Sequence, residues 1–421
     1  MDRPVVAVWK RPKVLRLLLI ALAAELGFAV LNVSVMPVFL ESRDMSGKVI
    51  SAVFAVFLLS EALLKGIAGH WADVYGRRIF LVLAPCLMVF TPLITLAVPE
   101  GAAYAIPAYL GLRVIDGLAA AMLWPALYAA VGEAVDVGEK AQGMSLLNVC
   151  FMIGLATGPL VGGFMNDRLG SLTPSFYLAS ALFAGTALVA VLFSKRDSRK
   201  HRLAQGEELE EHGLRDLWEC AKSIPKVLLL AVVVFFGAGI LAPVLKLMAS
   251  RIYGLTETEF GLLLLPAALA MAFLGIPLGR WAEKIGSSRA VQVGVILSAV
   301  GMWLVAMGAW LPVARGLAVL GVSGALVGVG FLVSVPAWQA FVSHINPKKA
   351  GSFLGAVMTA QGIGAILGVP IGGMLYDADT YLPVIACAAV LSISAAVSPL
   401  AVPAKSDLDV EGSDDLDDEP L

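Results

Sequence analysis

Twelve long apolar runs, parted by short polar breaks, set the pattern of this chain. A helix that crosses the roughly 30 Å hydrocarbon core of a bilayer needs about 20 such residues. On that measure the runs predict spanning helices at about 16–40, 49–70, 79–98, 104–130, 141–166, 174–194, 225–251, 258–279, 290–310, 313–342, 352–375 and 382–402. Several runs are dotted with Pro and Gly, which neighbouring helices can accommodate inside a membrane. The longest polar stretch, 195–224, includes KRDSRKHRLAQGEELEEHGLRD and separates six spans from six. The predicted organisation is an N-terminal six-helix bundle (1–194), a cytoplasmic linker (195–224) and a C-terminal six-helix bundle (225–402). The acidic tail, 403–421, ends DDLDDEPL and is expected to be solvated and disordered.

Composition agrees. The chain is 59% hydrophobic and 15% charged, with a mean hydropathy of +0.86. That is more apolar surface than a water-facing fold can hide, so lipid is the expected solvent. The net charge of −2 points to no strongly charged partner and no nucleic acid. Cys86, Cys150, Cys220 and Cys387 have neither metal-ligand nor disulfide spacing and read as small apolar residues. No metal or cofactor is expected. The first run follows a basic head and is long enough to span, so it reads as helix one rather than a cleaved signal. With the N-terminus inside, 22 of the 30 Lys and Arg residues fall on that side, five on the other, and Lys65, Arg113 and Lys246 within spans. This bias predicts cytoplasmic termini in a cell (inner) membrane. A monomer is expected, because one chain supplies both bundles.

A repeat underlies the two halves. GHWADVYGRR, Gly69 to Arg78, cuts a charged notch between the second and third spans. At an offset of 210, its Gly69, Trp71, Ala72, Asp73 and Gly76 fall on Gly279, Trp281, Ala282, Glu283 and Gly286, with Arg289 following. The same offset carries Gly154, Gly158, Gly162, Gly163 and Asp167 onto Gly364, Gly368, Gly372, Gly373 and Asp377. Two separate matches at one offset predict two similar bundles arranged as a parallel repeat. In the notch, Gly69 lets another backbone approach and Gly76 permits a tight reversal. Asp73 can pair with Arg77 or face the positive end of a neighbouring helix, a contact able to latch one conformation. The alternative is that Arg77 and Arg78 only hold topology.

The notch resembles the loop signature of the major facilitator superfamily, G-x-x-x-D-x-x-G-R-R/K, here Gly69, Asp73, Gly76, Arg77 and Arg78. Its echo departs from the signature: Glu283 replaces the Asp, and Ser287 and Ser288 replace the basic pair. The resemblance covers essentially the whole membrane region. It implies an all-α fold of 12 transmembrane helices in two pseudo-symmetric six-helix bundles that rock about a central site, lined by helices one, four, seven and ten. GLATGPLVGG, containing Gly154, Gly158, Pro159, Gly162 and Gly163, resembles the antiporter motif of drug:proton exchangers, with Ser145 at the upstream glycine of the longer pattern. That resemblance implies export. The alternative is helix packing without directional meaning. LGLRVIDGLAAA, with Arg113 and Gly117, resembles the family's fourth-helix motif, whose Arg is associated with proton coupling; Asp116 stands where the family often has Gln. QGIGAILG, at Gln361, follows no predicted strand and is not a phosphate loop. The four histidines show no paired spacing and no nucleophile sits in a recognisable constellation, so an enzyme is not expected.

Six charges interrupt the spans: Glu25, Glu61, Lys65, Arg113, Asp116 and Lys246. Each costs roughly 2.5–3.5 kcal/mol at a helix centre, so they are expected to face the bundle interior or a wet cavity. Glu25 and Glu61 lie nine residues from the cytoplasmic ends of their helices, near the midplane at about 13 Å depth. Glu25 is the expected proton carrier, modulated by Arg113 and Asp116. The alternatives are that Glu25 is a static partner of Arg113 or Lys246, and that Asp116 holds Arg113 permanently. Glu61 and Lys65 are spaced to pair on one helix face, and Lys246, near the outer end of helix seven, is placed to snorkel. Glu25, Phe28, Asn32, Glu61, Lys65, Trp124, Phe235, Phe236 and Lys246 are the candidate cavity residues. An apolar cavity with one or two acids suits lipophilic neutral or cationic compounds. With no nucleotide-binding domain in the sequence, the expected energy source is a proton gradient. The expected partners are therefore a small-molecule substrate, protons and the bilayer. Three bases in the spans keep a rival open, a symporter or facilitator for a small anionic metabolite. A lipid flippase on the same fold is another.

Overall fold

The structure, a computed structural model, describes residues 8–136, 139–193, 214–265, 284–345 and 350–402, together with 274, 278 and 281. Its regular elements are all helices. Among the described residues ten are long and apolar enough to cross a membrane, and eleven if a bent pair is one span. The first six spans are Pro12–Glu41, Gly47–Tyr75, Arg77–Ala97, Ala105–Ala134, Lys140–Leu169 and Thr173–Phe193. A short helix, Leu214–Ser223, precedes the bent pair Pro225–Leu241 and Leu245–Tyr253, which forms the seventh. The eighth expected span is described over 257–265 and at isolated positions beyond. Ser287–Ala306, Leu317–Ile345, Ala350–Ala378 and Leu382–Ala401 complete the set. The second, fourth and fifth spans have 29, 30 and 30 residues, longer than their apolar runs, because each helix continues into polar residues at its end.

The offset of 210 holds in the elements as well as in the motifs. Moved by that amount, Gly47, Arg77 and Lys140 land on 257, Ser287 and Ala350, each the first residue of a helix. The turn glycines agree too: Gly76 has φ +97° and Gly286 φ +87°, a conformation that a side chain would strain. In both halves a row of glycines on the fifth helix of the repeat lies along the first. A Cβ at Gly154 would sit 2.8 Å from Glu25 Cβ, and one at Gly158 would sit 3.0 Å from Val30 N. In the second half Gly364, Gly368 and Gly372 meet the backbone at Val232, Phe236 and Ile240 in the same way. Helix five is unbroken through Pro159.

Two spans depart locally from straight α-helix. The first widens into a π-helical turn over Val30–Val35, just before Pro37, which has no N–H to offer the preceding turn. The seventh bends by 50° between Leu241 and Leu245, at Pro243. By their packing the residues form two compact units: Met1–Leu209 with Lys246–Ala268, and Glu210–Leu245 with Leu269–Leu421. The segment beyond the bend thus packs with the first six spans.

Candidate functional site

The intramembrane charges of the first unit sort into partners. Arg113 and Asp116, three residues apart on the fourth span, are 1% and 0% exposed. The Arg113 Nη2 lies 2.6 Å from Asp116 Oδ2. Arg113 Nη1 also donates to Asn32 Oδ1 at 2.8 Å, and Thr91 Oγ1 donates to Asp116 Oδ1 at 2.5 Å. The fourth span is therefore tied to the third through Thr91 and to the π turn of the first through Asn32. In this arrangement Arg113 is held by Asp116, which favours the static alternative for this pair, and Asn32 spends its carbonyl oxygen on Arg113. Glu61 and Lys65 form the expected i,i+4 pair at 2.9 Å, with side chains 20% and 49% exposed.

Lys246 does not snorkel. It is 4% exposed, and its ammonium donates to Glu257 Oε2 and to the Ser34 carbonyl, with Ser34 Oγ at 3.4 Å. The bend at Pro243 turns it toward the π turn of the first span instead of along the helix axis toward the interface. Other contacts hold the same segment. Arg251 meets Glu41 at 2.6 Å. Asp167, at the end of the fifth span, accepts from Thr258 N at 2.8 Å and Thr258 Oγ1 at 2.5 Å. It thereby caps the helix that starts at 257. Thr256 and Glu259 cap that helix reciprocally: Thr256 N donates to Glu259 Oε2 and Glu259 N to Thr256 Oγ1. A side chain at Gly163 would strike the Glu257 carbonyl, so the last glycine of the fifth-span row is what admits this segment.

Glu25 stands apart. It is 5% exposed, and among the described residues its carboxylate has no hydrogen bond and no basic partner. Nearby, the Tyr128 hydroxyl donates to Asn148 Oδ1 at 2.9 Å. Neither Arg113 nor Lys246 reaches Glu25, so the alternative of a static ion pair for this residue is not what the geometry contains. Phe28, one turn further on, packs with Phe57, Trp124 and Phe183 at centroid distances of 6.2, 6.4 and 5.4 Å. Phe28 and Trp124 are each 6% exposed, so both are core rings of the first unit. In the second unit Phe235 packs edge-on to Phe331 at 6.3 Å, and Phe236 lies along the Gly364–Gly368 face.

At the notch, Gly76 makes the turn and Arg77 pairs with Glu133 at 2.5 Å, while Arg78 donates to the Val191 carbonyl at 3.2 Å. The surroundings of Gly69 and the side chain of Asp73 lie outside what is described, as do Gly279 and Glu283. Gly286 and Arg289 are described, Arg289 in the first turn of the ninth span. Ser34, Thr91, Glu133 and Glu257 are the partners that sequence reasoning missed. No three His, Cys, Asp or Glu side chains come together as a metal site among the described residues.

The glycine row yields a direct test. Gly158→Val would drive a side chain into Ala29 and Val30, and overpacking of this kind costs about 1–3 kcal/mol. A lower thermal midpoint in detergent is expected, whereas Gly185→Val, with nothing within 4 Å of the new Cβ, should leave it unchanged. Equal midpoints for the two variants would show that the row does not set the helix spacing.

Comparison with known proteins gives a consistent result. Residues 17–238 and 227–413 match the family described as Major Facilitator Superfamily. Multidrug resistance protein 2 of Bacillus subtilis (strain 168) is 24% identical over 361 residues, 84% of this chain and 86% of that protein. Quinolone resistance protein NorA of Staphylococcus aureus (strain MRSA252) is 22% identical over 358 residues, 84% and 87% of the two. The crystal structure of the nucleoside transporter NupG superposes with a TM-score of 0.79 at 13% identity, over 94% of this chain and 100% of that one. The structural likeness bears on fold alone.

Proposed function

The chain belongs to the major facilitator superfamily, a multi-pass membrane transporter rather than an enzyme, and from that premise we propose that it exports small lipophilic or cationic compounds in exchange for protons. The observation that carries the reading is the distribution of charge. Arg113 has Asp116, Lys246 has Glu257 and Lys65 has Glu61, while Glu25 is buried with no basic partner among the described residues. A carboxyl group in that position can take up and release a proton without first breaking an ion pair, and it changes the charge of its surroundings when it does. The same distribution disfavours the symporter of an anionic metabolite, because Lys65, Arg113 and Lys246, the three bases deep within the spans, each already face a carboxylate. The glycine row is present in both halves and so gives no direction by itself. Support for export comes from the resemblance of Gly154–Gly163 to the antiporter motif and from relatives named multidrug resistance protein and quinolone resistance protein.

Transport proceeds by alternating access, with Gly69–Arg78 as a conformational latch. The protein works as a monomer, without cofactor, in the cytoplasmic membrane with both termini inside. The energetics are sufficient. One proton charge moved across about 150 mV yields roughly 3.5 kcal/mol, and at about 1.4 kcal/mol per decade this sustains a gradient of a few hundred-fold. Dye or antibiotic accumulation in cells with and without the protein tests the reading. Lower accumulation in expressing cells, abolished by an uncoupler, is expected; accumulation raised by the protein would point to uptake.

A further inference from the structure

A groove on the surface of the first unit joins an apolar floor to the guanidinium of Arg78 at one end. It has a volume of about 710 Å³ and runs between the third and sixth spans. Ile79, Val82 and Leu83 recur at helical spacing along its floor, and Val191 forms part of the facing wall. Ile79 and Leu83 are 52% and 44% exposed, so this floor faces outward from the helices, toward hydrocarbon in a membrane. Arg78 and Tyr75 close one end. Arg78 is the second residue of a spanning helix, so its guanidinium lies at the depth of the headgroups, where tyrosine also concentrates. That depth follows from position in the span and is the same for either orientation of the chain.

The two arginines of the notch divide their work. Arg77 turns to Glu133. Arg78 donates one N–H to the Val191 carbonyl and has no carboxylate partner among the described residues. A guanidinium carries five donors in a planar fork that matches phosphate oxygens. Most of that capacity is unspent here. Gly76 adds no side chain at the mouth, and the third span begins without a side-chain cap. An apolar channel parallel to the span, ending at headgroup depth on a guanidinium with no carboxylate partner among the described residues, has the charge and shape of one ligand class. We propose that the groove binds an anionic phospholipid, with an acyl chain along Ile79, Val82 and Leu83 and the phosphate on Arg78. This site is separate from the Glu25 region and does not depend on the direction or coupling of transport.

The test uses the full-length protein, purified in detergent, stripped of lipid and offered phosphatidylglycerol and phosphatidylcholine together, with bound lipid counted by native mass spectrometry. The wild type should retain one phosphatidylglycerol in preference to phosphatidylcholine. Arg78→Gln should reduce that preference about tenfold, the scale of losing a charge-assisted hydrogen-bonding group. Arg78→Lys should keep part of it, which separates loss of charge from loss of fold. Val82→Trp, which fills the floor and keeps Arg78, should also release the lipid. Lys226→Gln removes a base from the start of the seventh span and should change nothing. The proposal is overturned if the preference survives Arg78→Gln, or if Lys226→Gln lowers it equally, which would mark a general effect of charge. It is overturned as well if Val82→Trp has no effect or if glycerol phosphate displaces the lipid, since either would mean an anion site without a chain. Lipid binding that appears only after deletion of 194–213 would overturn it too, by identifying the chain's own linker as the occupant.

Discussion

Glu25→Gln is expected to abolish proton-driven export and to leave energy-independent exchange of substrate across the membrane intact. The substitution is nearly isosteric, and it removes a proton-binding group that holds no hydrogen bond or ion pair among the described residues. Folding should therefore be almost unaffected, with the thermal midpoint near that of the wild type. What is lost is the coupling, so the sustained gradient of a few hundred-fold should collapse toward unity. Glu25→Asp keeps a titratable group but withdraws it by one methylene, and should retain partial coupling. The close approach of helix five at Gly154 limits how far the backbone can move to compensate. Full active export by Glu25→Gln, measured in vesicles with an imposed proton gradient, would mean that the proton is carried elsewhere.

Lys246→Met is expected to have the largest effect on stability. It leaves Glu257 without its cation beside the Ser34 carbonyl, in a site where the lysine is 4% and the glutamate side chain 18% exposed. Removing one member of a buried pair costs about 3–5 kcal/mol, chiefly because the remaining charge is stranded. Glu257→Gln should be damaging for the converse reason. The double variant Lys246→Met, Glu257→Gln removes both charges and should recover most of the loss. Thermal unfolding of the three variants in detergent gives the coupling between the two sites as a double-mutant cycle. Additive effects would show that the two charges do not depend on each other. Loss of the clasp should also free the segment beyond Pro243 from the first span, so the double variant is expected to be stable but altered in turnover.

The larger outline was legible in the sequence because it rests on long periodic signals. Apolar runs of spanning length located the helices, and the offset of 210 between glycine-rich motifs reappears in helix starts and in the positive φ of Gly76 and Gly286. The Glu61–Lys65 pair was legible because it is local, one turn on one helix. The partners that escaped are not local. Arg77 and Glu133 lie on the third and fourth spans, and nothing in either run signals the meeting. Glu257 sits 11 residues from Lys246, across a bend, where no helical spacing applies. Its position could have been sharpened by the Thr256–Glu259 spacing, a helix-start signal that places the next helix at 257. A continuous seventh run would place Lys246 to snorkel. Pro243 is visible in the run, but a proline marks where a helix can bend and not by how much, and the turn here is 50°. The inward or outward facing of Phe28 and Trp124 was likewise open, since an apolar ring suits lipid and core equally and only tertiary contacts decide.

The central claim, export driven by proton exchange at Glu25, is tested most directly by purified protein in sealed vesicles loaded with a fluorescent cationic dye, with a pH gradient imposed in either direction. Dye should move against the direction of proton flow, reverse when the gradient is reversed, and stop responding in Glu25→Gln. Movement of dye together with protons, or an equal response from the wild type and Glu25→Gln, would contradict the account.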